Sequence, residues 1–380
     1  MKRITRIMAI SLVVAMLTVL LSSVAYGVGS NLSLSGKEQN QRLVTLFCNT
    51  IDAVKDDSQK LQLSVMKTVK DFAGNSYIVA EFQPTGYAIF NVATGIFTEY
   101  SALSDSPYLG YSENELYYAG MAQFYAKQGS KIVDLLTKES AQEQEVRALF
   151  APYSKQQFAL LEKNRNDEVA QYVSKKISNY VQPKAVTEEL VLSANRLIKL
   201  RDPGERKGGV CGYIAAAMLL YYYRSSGRRN ITSATDYETD ANGYYKLKKD
   251  LVNYLVDTLR VRLGLPIGSH ANTIKTLLSE YIRIYCNRVG VSQSGISHNT
   301  WYAPTTYQIE VGINNDKPVI IFAGLLSSAE IGITISHAVL AYGYKYNFGT
   351  SDEMIVHYGY VDRSKVYVTG AWGSIYTLTC

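Results

Sequence analysis

Two stretches decide how this chain is interpreted: GGVCGYIAAAMLLYYY, Gly208 to Tyr223, and SHAVLAYGY, Ser336 to Tyr344. The first predicts an apolar helix that begins at Cys211, and the second predicts a buried strand that begins at His337, 126 residues later. A thiol at a helix N-terminus meets unpaired N–H groups and the positive end of the helix dipole, which favour the thiolate. A histidine from another element can take the thiol proton. The two stretches therefore predict the nucleophile and base of a cysteine hydrolase.

The alternative interpretation is structural: Cys211 is a small buried apolar side chain and His337 has no chemical role. Three glycines, Gly208, Gly209 and Gly212, flank the cysteine. Glycine lets the backbone approach the sulfur without side-chain obstruction, which a packed core does not need. This pattern favours a catalytic thiol.

The N-terminus, residues 1–27, has the pattern of a secretory signal peptide. Lys2, Arg3 and Arg6 form a basic segment, and the apolar run Ile7–Leu21 follows it before the small residues of a cleavage site. The run is shorter than the ~20 residues of a spanning helix. We therefore expect a secreted or cell-surface protein with no integral membrane segment after cleavage; an uncleaved anchor is the alternative.

Composition narrows the class of function. Loss of three cations with the signal changes the formal net charge from +6 to +3, and the remaining Lys and Arg are dispersed, which argues against a nucleic-acid partner. The four cysteines form no CxxC motif and no tight Cys/His cluster, so we expect no metal and no other cofactor. The 31 tyrosines, against 10 phenylalanines, predict an exposed, hydrogen-bonding aromatic surface.

The segments preceding Cys211 divide into a β-rich domain, residues 28–130, and a helical connector, residues 131–200. Alternating residues and turn signals predict short strands in the first of these, followed by a helix at Glu113–Lys127. The predicted strands are Leu61–Val69, Tyr77–Phe82, Gly86–Phe90 and Gly95–Tyr100.

The remaining domain, residues 201–380, has helices first and antiparallel strands after, which is typical of an α+β fold. Beyond the Cys211 helix, helical patterns occur at Tyr245–Leu263 and Thr273–Tyr285. The predicted strands are Val319–Phe322, Ala338–Tyr344, Met354–Tyr358, Lys365–Thr369 and Ser374–Leu378.

Three blocks resemble the streptopain-type, papain-fold cysteine peptidases secreted by bacteria, and more loosely the bacteriocin-processing peptidases. They are Gly204–Tyr223, IEVGINNDKPVIIFAG at Ile309–Gly324, and SHAVLAYGY followed by MIVHYGY at Met354–Tyr360. The strand-rich stretch Ala80–Tyr108 is similar to the inhibitory pro-domain of these enzymes. The resemblance implies a papain-like domain behind a β-rich pro-domain, a zymogen, and a peptide or protein substrate cleaved through an acyl-thioenzyme.

Two positions depart from the family pattern. Glu205 stands six residues before Cys211, where the family has a glutamine whose amide stabilises the oxyanion. His357 stands where the family has the asparagine that orients the catalytic imidazole, and Asp362 is a rival for that role. These departures keep two alternatives open. The first is a catalytically inactive papain-fold protein that acts as a binding or inhibitory module. The second is a peptidoglycan amidase or endopeptidase that uses the same Cys–His chemistry.

Two further expectations concern processing. Lys184 to Gly204 is polar, contains basic residues and ends in a Pro-Gly turn, so we expect the pro-region to be cleaved there. Cys286 and Cys380 are the pair left for a disulfide if Cys211 stays a thiol and Cys48 leaves with the pro-region.

Overall fold

A computed structural model describes most of the chain after residue 60. The described residues are 61–92, 97–112, 115–151, 188–201, 209–239, 245–268, 270–302, 304–323, 337–345, 353–360, 363–369 and 373–380, with Val44 and Lys155. The predicted signal peptide, Glu205 and Asp362 lie outside them. From residue 61 onward the described residues belong to one compact unit, Phe47–Cys380.

The N-terminal part, which we define as residues 61–151, is rich in strands. Its first four strands confirm the sequence prediction, and each pairs antiparallel with the next. They are β1 (Gln62–Lys70), β2 (Ser76–Gln83), β3 (Tyr87–Asn91) and β4 (Phe97–Ser101).

The helix predicted at Glu113–Lys127 is wrong: this segment forms β5 (Leu116–Tyr118) and β6 (Phe124–Gln128). Its apolar residues recur at a spacing that also fits a helix face, but a tight turn separates them. Gly120 and Ala122 both have positive φ, at 121° and 57°, which a continuous helix does not allow. The backbone N–H of Gln123 closes the turn on the carbonyl of Gly120 at 2.9 Å.

The predicted helical connector also begins with strands. Lys131–Asp134 (β7) and Ser140–Gln142 (β8) form an antiparallel hairpin, and residues 143–151 then form helix α1. The hairpin turn contains Lys138 at φ 65°, a conformation that helices exclude. The next described elements are β9 (Glu188–Leu190) and α2 (Ala194–Ile198).

The C-terminal part, defined as residues 188–380, contains a helical layer and the remaining strands. After the two-residue β10 (Leu200–Arg201), its helices are α3 (Cys211–Ser225), α4 (Lys249–Asn253), which continues through Tyr254–Leu259 and Arg260–Arg262, α5 (Ala271–Val289) and α6 (Thr306–Asn314). Its other strands are β11 (Tyr237–Thr239), β12 (Tyr245–Leu247), β13 (Ser297–Tyr302), β14 (Val319–Ala323), β15 (His337–Lys345), β16 (Glu353–His357), β17 (Val366–Val368) and β18 (Ser374–Thr379).

One large, mainly antiparallel sheet runs through both parts. Among the described residues its order is β13-β18-β14-β15-β16-β17-β4-β3-β2-β1-β5-β6-β7-β8, and β9 also pairs with β15. A small second sheet has the order β10-β12-β11. The two parts join where β17 pairs with β4, with Tyr367 opposite Tyr100 and Val368 opposite Glu99. The protein is therefore a mixed α/β structure organised around this sheet.

Helix α3 lies in the core, packed on β14 and β15, and its residues from Cys211 to Tyr223 are all buried. The expectation that the tyrosines form an exposed surface is wrong here, because Tyr221, Tyr222 and Tyr223 are fully buried. A buried tyrosine needs a partner for its hydroxyl. The hydroxyl of Tyr222 donates to Asp316 Oδ1 at 2.6 Å, and that of Tyr223 donates to the carbonyl of Leu378.

None of the helices in the described part of the chain combines the length and apolarity that crossing a bilayer requires.

Candidate active site

Cys211 is the first residue of α3, and its thiol lies against the start of β15. Gly209, at φ 76°, makes the turn that leads into the helix. The backbone N–H of Ala338 donates a hydrogen bond to Cys211 Sγ at 3.3 Å. Because Ala338 directly follows His337, the fold brings the two residues singled out in the sequence to one place.

His337 is the first residue of β15, and its ring is held by a backbone carbonyl. The ring Nε2 lies 3.2 Å from the carbonyl oxygen of Tyr358. A carbonyl only accepts hydrogen bonds, so Nε2 must carry the proton. The neutral ring then has Nδ1 as its proton acceptor, which is the property that a general base requires.

Two tyrosine rings enclose the imidazole. Tyr360 stacks on His337 with ring centroids 5.3 Å apart and an interplanar angle of 11°, and Tyr358 meets it edge-on at 6.0 Å. Only 2% of the His337 surface and 8% of the Cys211 surface is exposed. Both groups are therefore largely shielded from solvent, and we call this arrangement the closed site.

Burial sets the ionisation of both groups. Removal from water raises the pKa of the Cys211 thiol to about 11, and the hydrogen bonds from backbone N–H groups oppose this only in part. Removal from water also lowers the pKa of His337 to about 4, against the hydrogen bond to Tyr358. At pH 7 the thiol of Cys211 and the imidazole of His337 are therefore both neutral.

His357 has a different place from the one predicted. Its Nδ1 accepts the backbone N–H of Gly359 at 2.9 Å, so Nε2 carries the proton, 3.0 Å from the carbonyl of Leu200. Both ring nitrogens are used by backbone atoms, and the ring cannot also hydrogen-bond to His337. The predicted role of His357 as orienter is therefore not supported. The carbonyl of Tyr358 holds the imidazole instead, and His357 fixes the turn that carries this carbonyl.

Gly359 allows the turn that contains Tyr358 to pack closely against α3. Its φ of 78° lies in the left-handed region, and a Cβ at this position would come within 2.9 Å of Ile214 Cγ2, one turn along α3 from Cys211. A residue with a side chain cannot take this position without moving the turn or the helix. The glycine therefore fixes the spacing between the helix of Cys211 and the carbonyl that holds His337.

A carboxyl group of the N-terminal part also affects the pKa of the Cys211 thiol. The carboxylate of Asp134, at the end of β7, adds to the rise in the pKa of Cys211, because a nearby negative charge opposes the thiolate. Asp134 is itself buried, and its Oδ1 accepts the backbone N–H of Leu136 at 2.7 Å and of Thr137 at 3.0 Å. Asp134 therefore acts on the pKa of Cys211 in the same direction as burial, and more weakly than burial does.

The structure also describes two further histidines, His270 and His298, and two further cysteines, Cys286 and Cys380. His270 precedes α5 at its N-cap without a side-chain cap bond, and His298 Nδ1 lies 2.7 Å from the hydroxyl of Tyr376. Cys286 and Cys380 are both free thiols, so the structure does not contain the disulfide expected between them. Within the described residues, no group of three or more His, Cys, Asp or Glu side chains is placed to hold a metal ion.

Sequence reasoning missed two contributors to the site. The carbonyl of Tyr358 holds His337, but a backbone atom leaves no signature in the sequence. The second is Glu99, a fully buried carboxylate of β4 that accepts a hydrogen bond from the Tyr358 hydroxyl. Its only signal is an acidic residue inside a short strand, FTEYS at Phe97–Ser101.

No protein-family profile matches the chain, and no curated protein matches it. Among solved structures, a mutant fragment (residues 39–359) of Prevotella intermedia prointerpain A is similar, at 12% identity and a TM-score of 0.34. The match covers 83% of this chain and 98% of the other.

Proposed function

We propose that this protein is a secreted cysteine peptidase, made as a zymogen, with a papain-like arrangement in its C-terminal part. One observation carries the proposal: the thiol that begins a buried helix accepts a hydrogen bond from the N–H beside His337, whose tautomer leaves Nδ1 as the acceptor. Nucleophile and base from distant parts of the sequence are the elements that acyl transfer needs.

In the proposed reaction, His337 Nδ1 takes the proton of the Cys211 thiol, and the sulfur attacks the carbonyl carbon of a peptide bond. The backbone N–H groups in the first turn of α3 are the candidate donors to the oxyanion. The C–N bond breaks as the imidazolium returns its proton to the leaving amine. Water, deprotonated by His337, then hydrolyses the thioester and restores the thiol.

The closed site supports a latent precursor. Burial leaves Cys211 and His337 neutral and inaccessible, and a carboxylate of the N-terminal part opposes the thiolate. We propose that cleavage between Lys184 and Gly204, followed by departure of the N-terminal part, exposes the pair to water. Both pKa values then shift back toward their usual range, which favours proton transfer.

The same burial favours a second candidate, an inactive module that keeps the fold and never exposes the pair. Hydrolysis of a fluorogenic peptide library by the chain, before and after limited proteolysis, separates the two. We expect hydrolysis only after cleavage, and we expect Cys211→Ala and His337→Ala each to abolish it. Cys286→Ala and His298→Ala, which change the same residue types elsewhere in the fold, are the matched controls. Equal activity in Cys211→Ala and Cys286→Ala would contradict the assignment.

A further inference from the structure

Glu99 is a fully buried carboxylate where the two parts of the chain join. Its Oε1 accepts the hydroxyl of Tyr87 at 2.7 Å, and its Oε2 accepts the hydroxyl of Tyr118 at 3.1 Å. The backbone N–H of Ala122 is 3.4 Å from Oε2. A carboxyl this deeply buried is maintained only when such donors surround it.

The remaining donor to Glu99 comes from the C-terminal part. The hydroxyl of Tyr358 donates to Glu99 Oε2 at 3.0 Å, while the backbone carbonyl of the same residue accepts from His337 Nε2 at 3.2 Å. Tyr358 therefore links two groups. Its hydroxyl binds the carboxyl of Glu99 in the N-terminal part, and its carbonyl binds the imidazole of His337 in the candidate site.

The turn that carries Tyr358 has a second attachment to the N-terminal part. Arg363 donates to the carbonyl of Asp105 at 3.0 Å and lies over the rings of Tyr87 and Phe124, at 5.5 and 5.8 Å. Within the turn, the backbone N–H of Tyr358 donates to the carbonyl of Arg363 at 2.9 Å. The N-terminal part therefore holds both ends of this turn.

We propose that Glu99 is a positioning residue: by binding the Tyr358 hydroxyl it fixes the carbonyl that holds His337, so the N-terminal part controls the position of the imidazole. The inference rests on the proposed function of Cys211 and His337. Loss of this contact frees the turn, lets the Tyr360 and Tyr358 rings move from the imidazole, and admits water to the thiol.

The charges around Glu99 fit this role. Burial raises the pKa of Glu99 to about 7, against the hydrogen bonds from Tyr87, Tyr358 and Tyr118 and the positive charge of Arg363. Tyr108 is the other titratable neighbour, and its pKa is raised well above its usual value by burial and by Glu99. Below pH 7 the carboxyl is protonated and resembles the amide of glutamine, with one accepting and one donating group.

Alkylation of Cys211 by iodoacetamide in the full-length chain, followed by peptide mass mapping, tests the inference without requiring peptidase activity. Tyr358→Phe keeps the ring and the backbone carbonyl but loses the bond to Glu99. Tyr118→Phe loses an equivalent bond to the same oxygen wholly inside the N-terminal part, and is the matched control. Cys286, buried in the core, reports general unfolding in each sample.

We expect Tyr358→Phe to raise the alkylation rate of Cys211 by roughly tenfold or more, the size expected for one hydrogen bond to a buried carboxyl. Cys286 should not change, and Tyr118→Phe should stay within about twofold of the wild type. At pH 6, Glu99→Gln should retain the wild-type rate because its amide preserves the bond to Tyr358, while Glu99→Ala should match or exceed Tyr358→Phe.

Equal effects of Tyr358→Phe and Tyr118→Phe, or parallel rises at Cys211 and Cys286, would overturn the inference, because both indicate general loss of stability. No effect of Tyr358→Phe would overturn it as well. Selective exposure of Cys211 in a chain that never hydrolyses peptides would leave the coupling standing and contradict only the proposed peptidase function.

Discussion

The substitution Gly359→Ala tests whether the spacing between α3 and the Tyr358 turn holds the site together. Gly359 has a φ of 78°, and a Cβ there would lie 2.9 Å from Ile214 Cγ2 and 3.7 Å from Met218 Cε. Ile214 is buried within α3, so it cannot move away freely. The new methyl group must displace the turn, the helix or both.

Two costs add in this variant. A left-handed conformation costs an alanine about 1–2 kcal/mol, and overpacking of a filled core costs about 1–3 kcal/mol more. Gly290→Ala is the matched control, because Gly290 has a φ of 71° with nothing within 4 Å of the new methyl group. We therefore expect the free energy of unfolding to fall by about 1–3 kcal/mol more in Gly359→Ala than in Gly290→Ala.

Urea denaturation of both variants measures this difference in the free energy of unfolding. The rate of alkylation of Cys211 under native conditions measures how accessible its thiol is. Displacement of the turn moves the Tyr358 carbonyl from His337, so Gly359→Ala should expose the thiol while Gly290→Ala does not. Equal losses of stability, with Cys211 equally protected in both variants, would refute the reasoning, since the close approach to α3 would then carry no energetic weight.

Three other predictions follow from the charges and the processing of the chain. Because Glu99 keeps its proton up to about pH 7 when folded but loses it near 4.5 when unfolded, its contribution to stability is full below pH 4.5 and declines as the pH rises to 7. The decline in the free energy of unfolding that Glu99 causes is on the order of 3 kcal/mol, so urea denaturation between pH 4.5 and 7 should show a larger decline in the wild type than in Glu99→Gln; equal declines in the two proteins would contradict the prediction. Asp134, whose pKa burial raises to about 6, titrates in the same direction in both proteins. Glu205→Gln should raise peptide hydrolysis by up to about 10²-fold if an amide there donates to the oxyanion, and a loss of hydrolysis would give Glu205 a role of its own. N-terminal sequencing of the mature product should find a start within Lys184–Gly204, and a fully active species that begins near Val28 would contradict the zymogen.

Helix α3 and the strands from Val319 onward are well predicted by the sequence because their patterns are strong, whereas the helix predicted at Tyr245–Leu263 is wrong at its start, where Tyr245–Leu247 form β12. Helix α3 is apolar along most of its length, and the strands that begin near Val319, His337 and Ser374 are runs of buried residues. Such runs are long and are bounded by turn residues. The segment at 113–127 was harder, because its aromatic residues fit a helix face and a hairpin equally well, and only the backbone at Gly120 and Ala122 decides between them.

Sequence patterns also predict only part of the candidate site. Cys211 and His337 were found because their residue types and positions carry chemistry. No sequence pattern predicts the role of the Tyr358 carbonyl, because every residue has a backbone carbonyl. The role predicted for His357 rests on the family resemblance, in which this position precedes an aromatic-glycine-aromatic run. Glu99, in β4, acts through a contact with Tyr358, which directly follows β16 and lies 259 positions further along the chain. A single sequence does not encode that contact in any local pattern.

The most direct measurement of the central claim is covalent labelling by a peptide-based thiol electrophile at near-neutral pH, with the modified residue located by mass mapping. After cleavage in Lys184–Gly204, we expect one label at Cys211, abolished in His337→Ala and retained in His298→Ala. The uncleaved chain should remain unlabelled at Cys211, since its thiol is buried with a pKa of about 11. Labelling of Cys286 or Cys380 in place of Cys211, or labelling of Cys211 that is unaffected by His337→Ala, would contradict the assignment of this pair as nucleophile and base.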